Sequence, residues 1–72
     1  MNENMTIENG WMSIYWMPNK SNTYDIEMSR IRTAKDIMAW TNHLLGKEWF
    51  TKEYAREFVR KCAEYRNIKC SL

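Results

Sequence analysis

The sequence predicts an α+β fold: an antiparallel β-hairpin or three-stranded meander followed by two antiparallel α-helices packed on one face, in the order β-β-α-α. Three observations carry this reading. An Asn9-Gly10 dipeptide precedes an aromatic run that Pro18 stops, and the stretch from Thr23 onward alternates apolar and polar residues with period two. Two later stretches each carry apolar residues at helical spacing behind a threonine.

Residues 1–4 are polar and terminal, and disorder is expected there. A first strand is predicted at residues 5–7, because Asn9-Gly10 supplies the positive φ angles of a two-residue type I′ hairpin turn. Residues 11–17 form a stronger strand, rich in aromatic and apolar side chains and ended by Pro18, which has no N–H to give to a ladder. Residues 18–22 are concentrated turn formers. Over residues 23–31, Tyr24, Ile26 and Met28 take one face while Asp25, Glu27 and Ser29 take the other, the pattern of a strand with one wet side.

Thr33 reads as a helix N-cap, with Asp36 at the third helical position as a shortened capping box. The helix begins at Ala34. At 100° per residue Ala34, Ile37, Met38, Thr41, Leu44 and Leu45 share one stripe with Trp40 at its edge, and Gly46 is expected to end the helix in the left-handed conformation. After a turn at residues 46–50, Thr51 caps a second helix running to about Asn67, with Glu53 favouring the dipole of its first turn. Its apolar stripe is Ala55, Phe58, Val59, Cys62 and Tyr65. So short a connection makes the two helices antiparallel neighbours.

A chain of 72 residues holds a single domain, and one this small buries only about 60% of the surface exposed by its unfolded form. Four Trp, four Tyr, two Phe and six Met supply the bulk that replaces covalent staples. Cys62 and Cys70 would close only a short loop and are read as reduced. The first residues lack a basic start and an apolar run, and no apolar stretch reaches bilayer length. A cytoplasmic protein with no membrane partner is the expectation. Its formal charge of +2 is unevenly spread: residues 1–29 set Glu3, Glu8, Asp25 and Glu27 against Lys20, and the remainder is basic.

No group of residues announces chemistry. His43, the only histidine, lies opposite the apolar stripe of its helix, where a solvated side chain is the simplest reading. His43, Cys62 and Cys70 have no metal-ligand spacing, and Cys62 sits on a core stripe. Asp25 and Glu27 share a strand face with Thr23 and Ser29, a setting that solvates both carboxylates and does not separate their pKa values. Both glycines are spent on a turn and a helix end, so no phosphate loop exists. The expectation is a non-enzyme without cofactor or metal.

The strand at residues 11–17 is more informative, because both of its faces are apolar. Met12, Ile14 and Trp16 take one; Trp11, Tyr15 and Met17 take the other, broken only by Ser13. A two-helix layer shelters one face of a hairpin, which leaves the second for the N-terminal segment or for a partner, either a foreign protein or a second copy. Trp11, Tyr15 and Met17 are therefore the candidate protein-binding residues. Trp49, in the loop between the helices, joins them unless it fills the core. Make-up of this kind resembles that of small accessory inhibitors or adaptors of phages and mobile elements, a likeness of composition with no motif behind it.

The alternative is nucleic-acid binding by a basic edge: Arg30, Arg32 and Lys35 at the strand-to-helix junction, with Lys52, Arg56 and Arg60 along the second helix. Against it, Glu57 to Lys61 and Arg60 to Glu64 stand at the spacing of intrahelical ion pairs, so the stripe neutralises itself. A comparison with the helix-turn-helix rests on helix count alone.

Overall fold

A computed structural model describes residues 4–16 and 23–70 of the chain. Three strands, β1 (Met5–Glu8), β2 (Trp11–Tyr15) and β3 (Thr23–Glu27), form one antiparallel sheet in the order β1-β2-β3. A 3₁₀ turn at Met28–Arg30 precedes two helices, α1 (Ala34–Leu44) and α2 (Lys52–Arg66). The fold is α+β, with the meander form of the predicted sheet. Contacts divide the chain into two compact units, one ending at Arg30 and the other beginning at Ile31.

The first unit is organised by its tightest turn. Asn9 at φ 53° and Gly10 at φ 81° take the left-handed conformation that a type I′ turn demands. Glu8 is thereby placed opposite Trp11, and the ladder continues through Ile7 with Met12, Thr6 with Ser13 and Met5 with Ile14. Ladder pairing extends one residue beyond the strand, since the Tyr15 N–H donates to the Asn4 carbonyl at 2.8 Å. Asn4 is thus held, and of the segment expected to be disordered only residues 1–3 lie outside the described residues.

The other side of β2 pairs with β3: Trp11 with Glu27, Met12 with Ile26, Ser13 with Asp25, Ile14 with Tyr24 and Tyr15 with Thr23. Side chains alternate between faces with period two. Met5, Met12, Ile14 and Ile26 are buried together on one face, each no more than 2% exposed. β3 is shorter than the alternation over residues 23–31 predicted. Trp11, opposite Glu27, is the first residue of β2, and beyond it only the turn remains. The Met28 N–H therefore donates to the Gly10 carbonyl at 2.8 Å and the chain coils into a 3₁₀ turn that still buries Met28.

In the second unit both caps form as predicted. The Thr33 hydroxyl accepts from the Asp36 N–H at 3.1 Å, and the Asp36 carboxylate accepts from the Arg32 N–H at 3.1 Å, one residue further out than in the usual reciprocal box. The Thr51 hydroxyl accepts from the Tyr54 N–H at 3.3 Å. Ile37, Thr41 and Leu44 form the buried side of α1, and the Thr41 hydroxyl is satisfied by the Ile37 carbonyl at 2.8 Å. Ala34 and Leu45, both placed on the predicted stripe, are exposed.

Two helix details depart from the sequence pattern. Gly46 is not left-handed; positive φ occurs among the described residues only at Asn9, Gly10 and Asn67. α1 instead runs out through tighter turns, with Gly46 N–H on the His43 carbonyl and Lys47 N–H on the Leu44 carbonyl, which satisfies the orphan carbonyls without reversing the backbone. On α2 the buried set is Ala55, Phe58, Val59, Cys62 and Ala63, while Tyr65 is 46% exposed. The Arg66 guanidinium lies 5.2 Å from the centre of the Tyr65 ring, and its Nε donates to the Ile31 carbonyl at 2.7 Å. Asn67, left-handed at φ 56°, closes α2.

The two glycines separate cleanly by experiment. At Gly10 a Cβ meets open space, so Gly10→Ala should cost only the left-handed backbone penalty of about 1–2 kcal/mol. At Gly46 a Cβ would touch the His43 carbonyl at 3.4 Å without left-handed strain, so Gly46→Ala should be neutral or raise stability by up to about 1 kcal/mol. Urea unfolding of both variants measures the contrast; equal losses would show that Gly46 needs its glycine after all.

Candidate functional site

β2 is the central strand, so each of its outward side chains has a neighbour on both sides. On the face opposite Met12 and Ile14 the register makes transverse rows: Glu8, Trp11 and Glu27 in one, Thr6, Ser13 and Asp25 in the next, with Tyr15 beside Thr23 beyond. Trp11 is 48% exposed, Glu8, Asp25 and Glu27 are exposed, and Ser13 and Tyr15 are partly covered. The Ser13 hydroxyl donates to the Asp25 carboxylate at 2.8 Å. This face carries three carboxylates and, among the described residues, no Lys or Arg.

Sequence reasoning thus located Trp11 and Tyr15 on one face, as the structure has them, whereas Met17 lies outside the described residues. Trp16, assigned to the face of Met12, follows the last residue of β2 and is partly buried. What the sequence reading did not assemble is the row around Trp11. Glu8 and Glu27 sit on different strands, and only the register of both ladders brings them to either side of the indole. The signal available was the Asn9-Gly10 turn, which alone dictates Glu8 opposite Trp11.

Trp49 sits elsewhere. It is partly buried and packs edge-to-face on Phe50, 5.7 Å between ring centres, and on Tyr54 at 6.2 Å, while Phe50 contacts Phe58 at 6.1 Å. Such perpendicular pairs add to the burial of the rings. Burial raises the Tyr54 phenol above its ordinary value of 10.0. Trp49 is therefore partly covered by the rings of its own unit, and it lies in the loop between the helices and not on the strand face of Trp11 and Tyr15.

Of the basic candidates Arg30 ends the first unit, and the others are dispersed along the helical unit and partly neutralised. Arg60 donates to Glu57 at 2.7 Å and to Glu64 at 3.0 Å, and Lys61 stands 3.9 Å from Glu57. The hydrogen bond and charge of Glu57, then the charge of Glu64, hold the exposed Arg60 guanidinium more firmly protonated. A groove of about 800 Å³ runs beside the C-terminal half of α2, lined by Arg56, Arg60 and Lys69 with Glu64, over Val59 and Ala63. Arg30, Arg32, Lys35, Lys52 and Arg56 are exposed.

His43 is exposed and stands edge-on to Trp40 at 5.6 Å. Cys62 is fully buried, and burial pushes its thiol up to about 12 from an ordinary 9.0. The Cys70 thiol approaches the Met38 sulfur at 3.9 Å. Among the described residues no three His, Cys, Asp or Glu side chains gather as metal ligands, and no helix is long and apolar enough to cross a membrane.

The thiols give a direct check. One equivalent of a thiol reagent, at Cys70, should react rapidly with the folded protein, and Cys62 should react only on unfolding. Because the folded-state value of Cys62 is raised, the unfolded chain loses that proton first as pH climbs. The contribution of Cys62 to stability should therefore be complete below about pH 9 and fall away between about pH 9 and 12. Cys62→Ala should flatten that part of the stability-versus-pH curve.

Comparison with known proteins yields no relative: no family model, no curated protein and no solved structure significantly matches this chain.

Proposed function

We propose that this chain is a non-enzymatic, cytoplasmic protein-binding module, an inhibitor or adaptor that engages another protein through the open face of its sheet. The observation that carries this reading is the exposure of Trp11, at 48%, at the start of the central strand, with a paired residue on either side. A large ring placed there is flanked on both sides by paired strands, so it is held rigid and presented outward. Tryptophan in such a setting brings contact area at little cost in side-chain entropy, which is why it recurs at the centres of interfaces. Tyr15 extends the surface along the same strand. Free thiols at Cys62 and Cys70 suit a reducing compartment.

Nucleic-acid binding through Arg30, Arg32, Lys35, Lys52, Arg56 and Arg60 is the second reading, supported by the basic groove beside α2. Pairing of Arg60 with Glu57 and Glu64 weakens it, because a phosphate would have to displace carboxylates already in place.

The two readings part in one comparison. Affinity capture from the native cell, with mass spectrometry and nucleic-acid sequencing of the eluate, should recover a protein partner with the wild-type chain. The partner should be lost with the double variant Trp11→Ser, Tyr15→Ser, whose melting curve stays cooperative. Arg56→Glu with Arg60→Glu should leave that capture intact. Nucleic acid retained by the wild type, released by modest salt and lost with the charge-reversed variant, would replace the first reading by the second.

A further inference from the structure

The row Glu8, Trp11, Glu27 has a chemistry of its own. Trp11 occupies the centre strand, Glu8 is its direct partner on β1 and Glu27 its direct partner on β3. Adjacent strands lie about 4.8 Å apart, so one carboxylate-bearing residue stands at that distance on each side of the indole. Side chains directly opposite one another on a sheet face meet. Nothing cationic shares the face among the described residues, and Asp25 in the next row adds a third negative charge, one of its oxygens already held by Ser13.

We infer that this row is a receptor for an arginine side chain, presented by a cationic segment of the protein partner and laid flat over Trp11 between Glu8 and Glu27. The inference deepens the protein-binding reading and rests on it. An indole face attracts a cation within about 6 Å of its centre, and tryptophan is the strongest of the aromatic side chains in this respect. A guanidinium is planar and weakly hydrated, so it stacks on the ring while its edge N–H groups point sideways. The register sets Glu8 and Glu27 on either side of Trp11 across the strands. An ammonium, compact and strongly hydrated, satisfies the ring or one carboxylate but not both sides together.

A second copy of this chain is the less suitable occupant. Two-fold pairing through this face would set Glu8, Asp25 and Glu27 against their own counterparts, and like charges across an interface oppose association. A foreign cationic segment neutralises the same three groups. Since side chains on one face of an extended chain recur every second residue, a segment alternating arginine with small residues would place successive cations over the Trp11 row and the Asp25 row.

The test uses the full chain and three short synthetic peptides: one alternating arginine with serine, one with lysine for arginine, and one with citrulline, the neutral isostere of arginine. Binding is followed at low salt by the indole N–H and backbone amide resonances of Trp11, with sedimentation velocity alongside. The arginine peptide should shift the β2 and β3 resonances, bind at least about threefold more tightly than the lysine peptide, and lose about tenfold in affinity with Trp11→Leu and with Glu8→Gln, Glu27→Gln. Citrulline should abolish binding, and salt near physiological strength should weaken it.

Equal binding of the arginine and citrulline peptides, or shifts confined to α2, would overturn the inference. So would a concentration-dependent dimer that Trp11→Leu dissolves, since the face would then belong to a second copy. Absence of peptide binding alongside partner capture that still depends on Trp11 and Tyr15 would sink the arginine receptor and leave the protein-binding reading standing. Failure of both would remove the two together.

Discussion

Every side chain of β1 and β2 takes its face from one turn. Asn9 and Gly10 adopt left-handed backbone, and a two-residue turn of that kind admits only one register between the strands it joins. Because the side-chain period along a strand is two, slipping that register by one residue would carry Met12 and Ile14 to the open face and Trp11 to the buried one. The turn thus decides that Glu8 faces Trp11, that Met5 faces Ile14, and that Met5, Met12 and Ile14 are buried on one face. Two residues with no chemistry of their own determine where the chemistry is displayed.

Much of this was legible in the residues themselves. The Asn9-Gly10 hairpin, the alternation at Tyr24 to Glu27 and the threonine caps at Thr33 and Thr51 each have a local cause, and local causes survive folding. The failures have a common origin in partners that the pattern does not contain. Alternation runs on through Met28 because Met28 is buried, and burial is compatible with a strand or a 3₁₀ turn alike; what ends β3 is the absence of a β2 residue beyond Trp11 to pair with. Gly46 has the composition of a left-handed stop, yet the carbonyls it would have served are already satisfied by right-handed turns. Tyr65 matches the helical period, but it stays 46% exposed beside the Arg66 guanidinium while the smaller Ala63 goes inward.

The same distinction divides the candidate site. Exposure of Trp11 follows from counting faces, which needs only the strand period. The carboxylates beside it require two registers at once, one on each edge of β2, and the sequence supplied only the first through its turn. Glu27 therefore read as half of a solvated pair with Asp25, when its immediate neighbour is Trp11. Lys52, Arg56 and Arg60 illustrate the reverse case: a stripe visible in sequence loses part of its meaning because two glutamates stand at bonding distance from Arg60 on the same helix.

A strand with two apolar faces would be a liability in a chain this small, because exposed aromatic surface invites association while contributing nothing to the core. The arrangement around Trp11 restrains that liability. Three carboxylates on the open face would repel another copy and other acidic surfaces, so under the proposed function the ring favours partners that bring positive charge. The two sides of one strand then differ: Met12 and Ile14 are buried, and Trp11 is exposed on the face that the proposed function assigns to recognition. Since the backbone ladder holds β2 in place regardless of what its outward side chains are, the open face is free to vary in chemistry without loss of fold. Under the proposed protein-binding function, one indole between two glutamates would select among partners, a role distinct from the packing that Met12 and Ile14 carry.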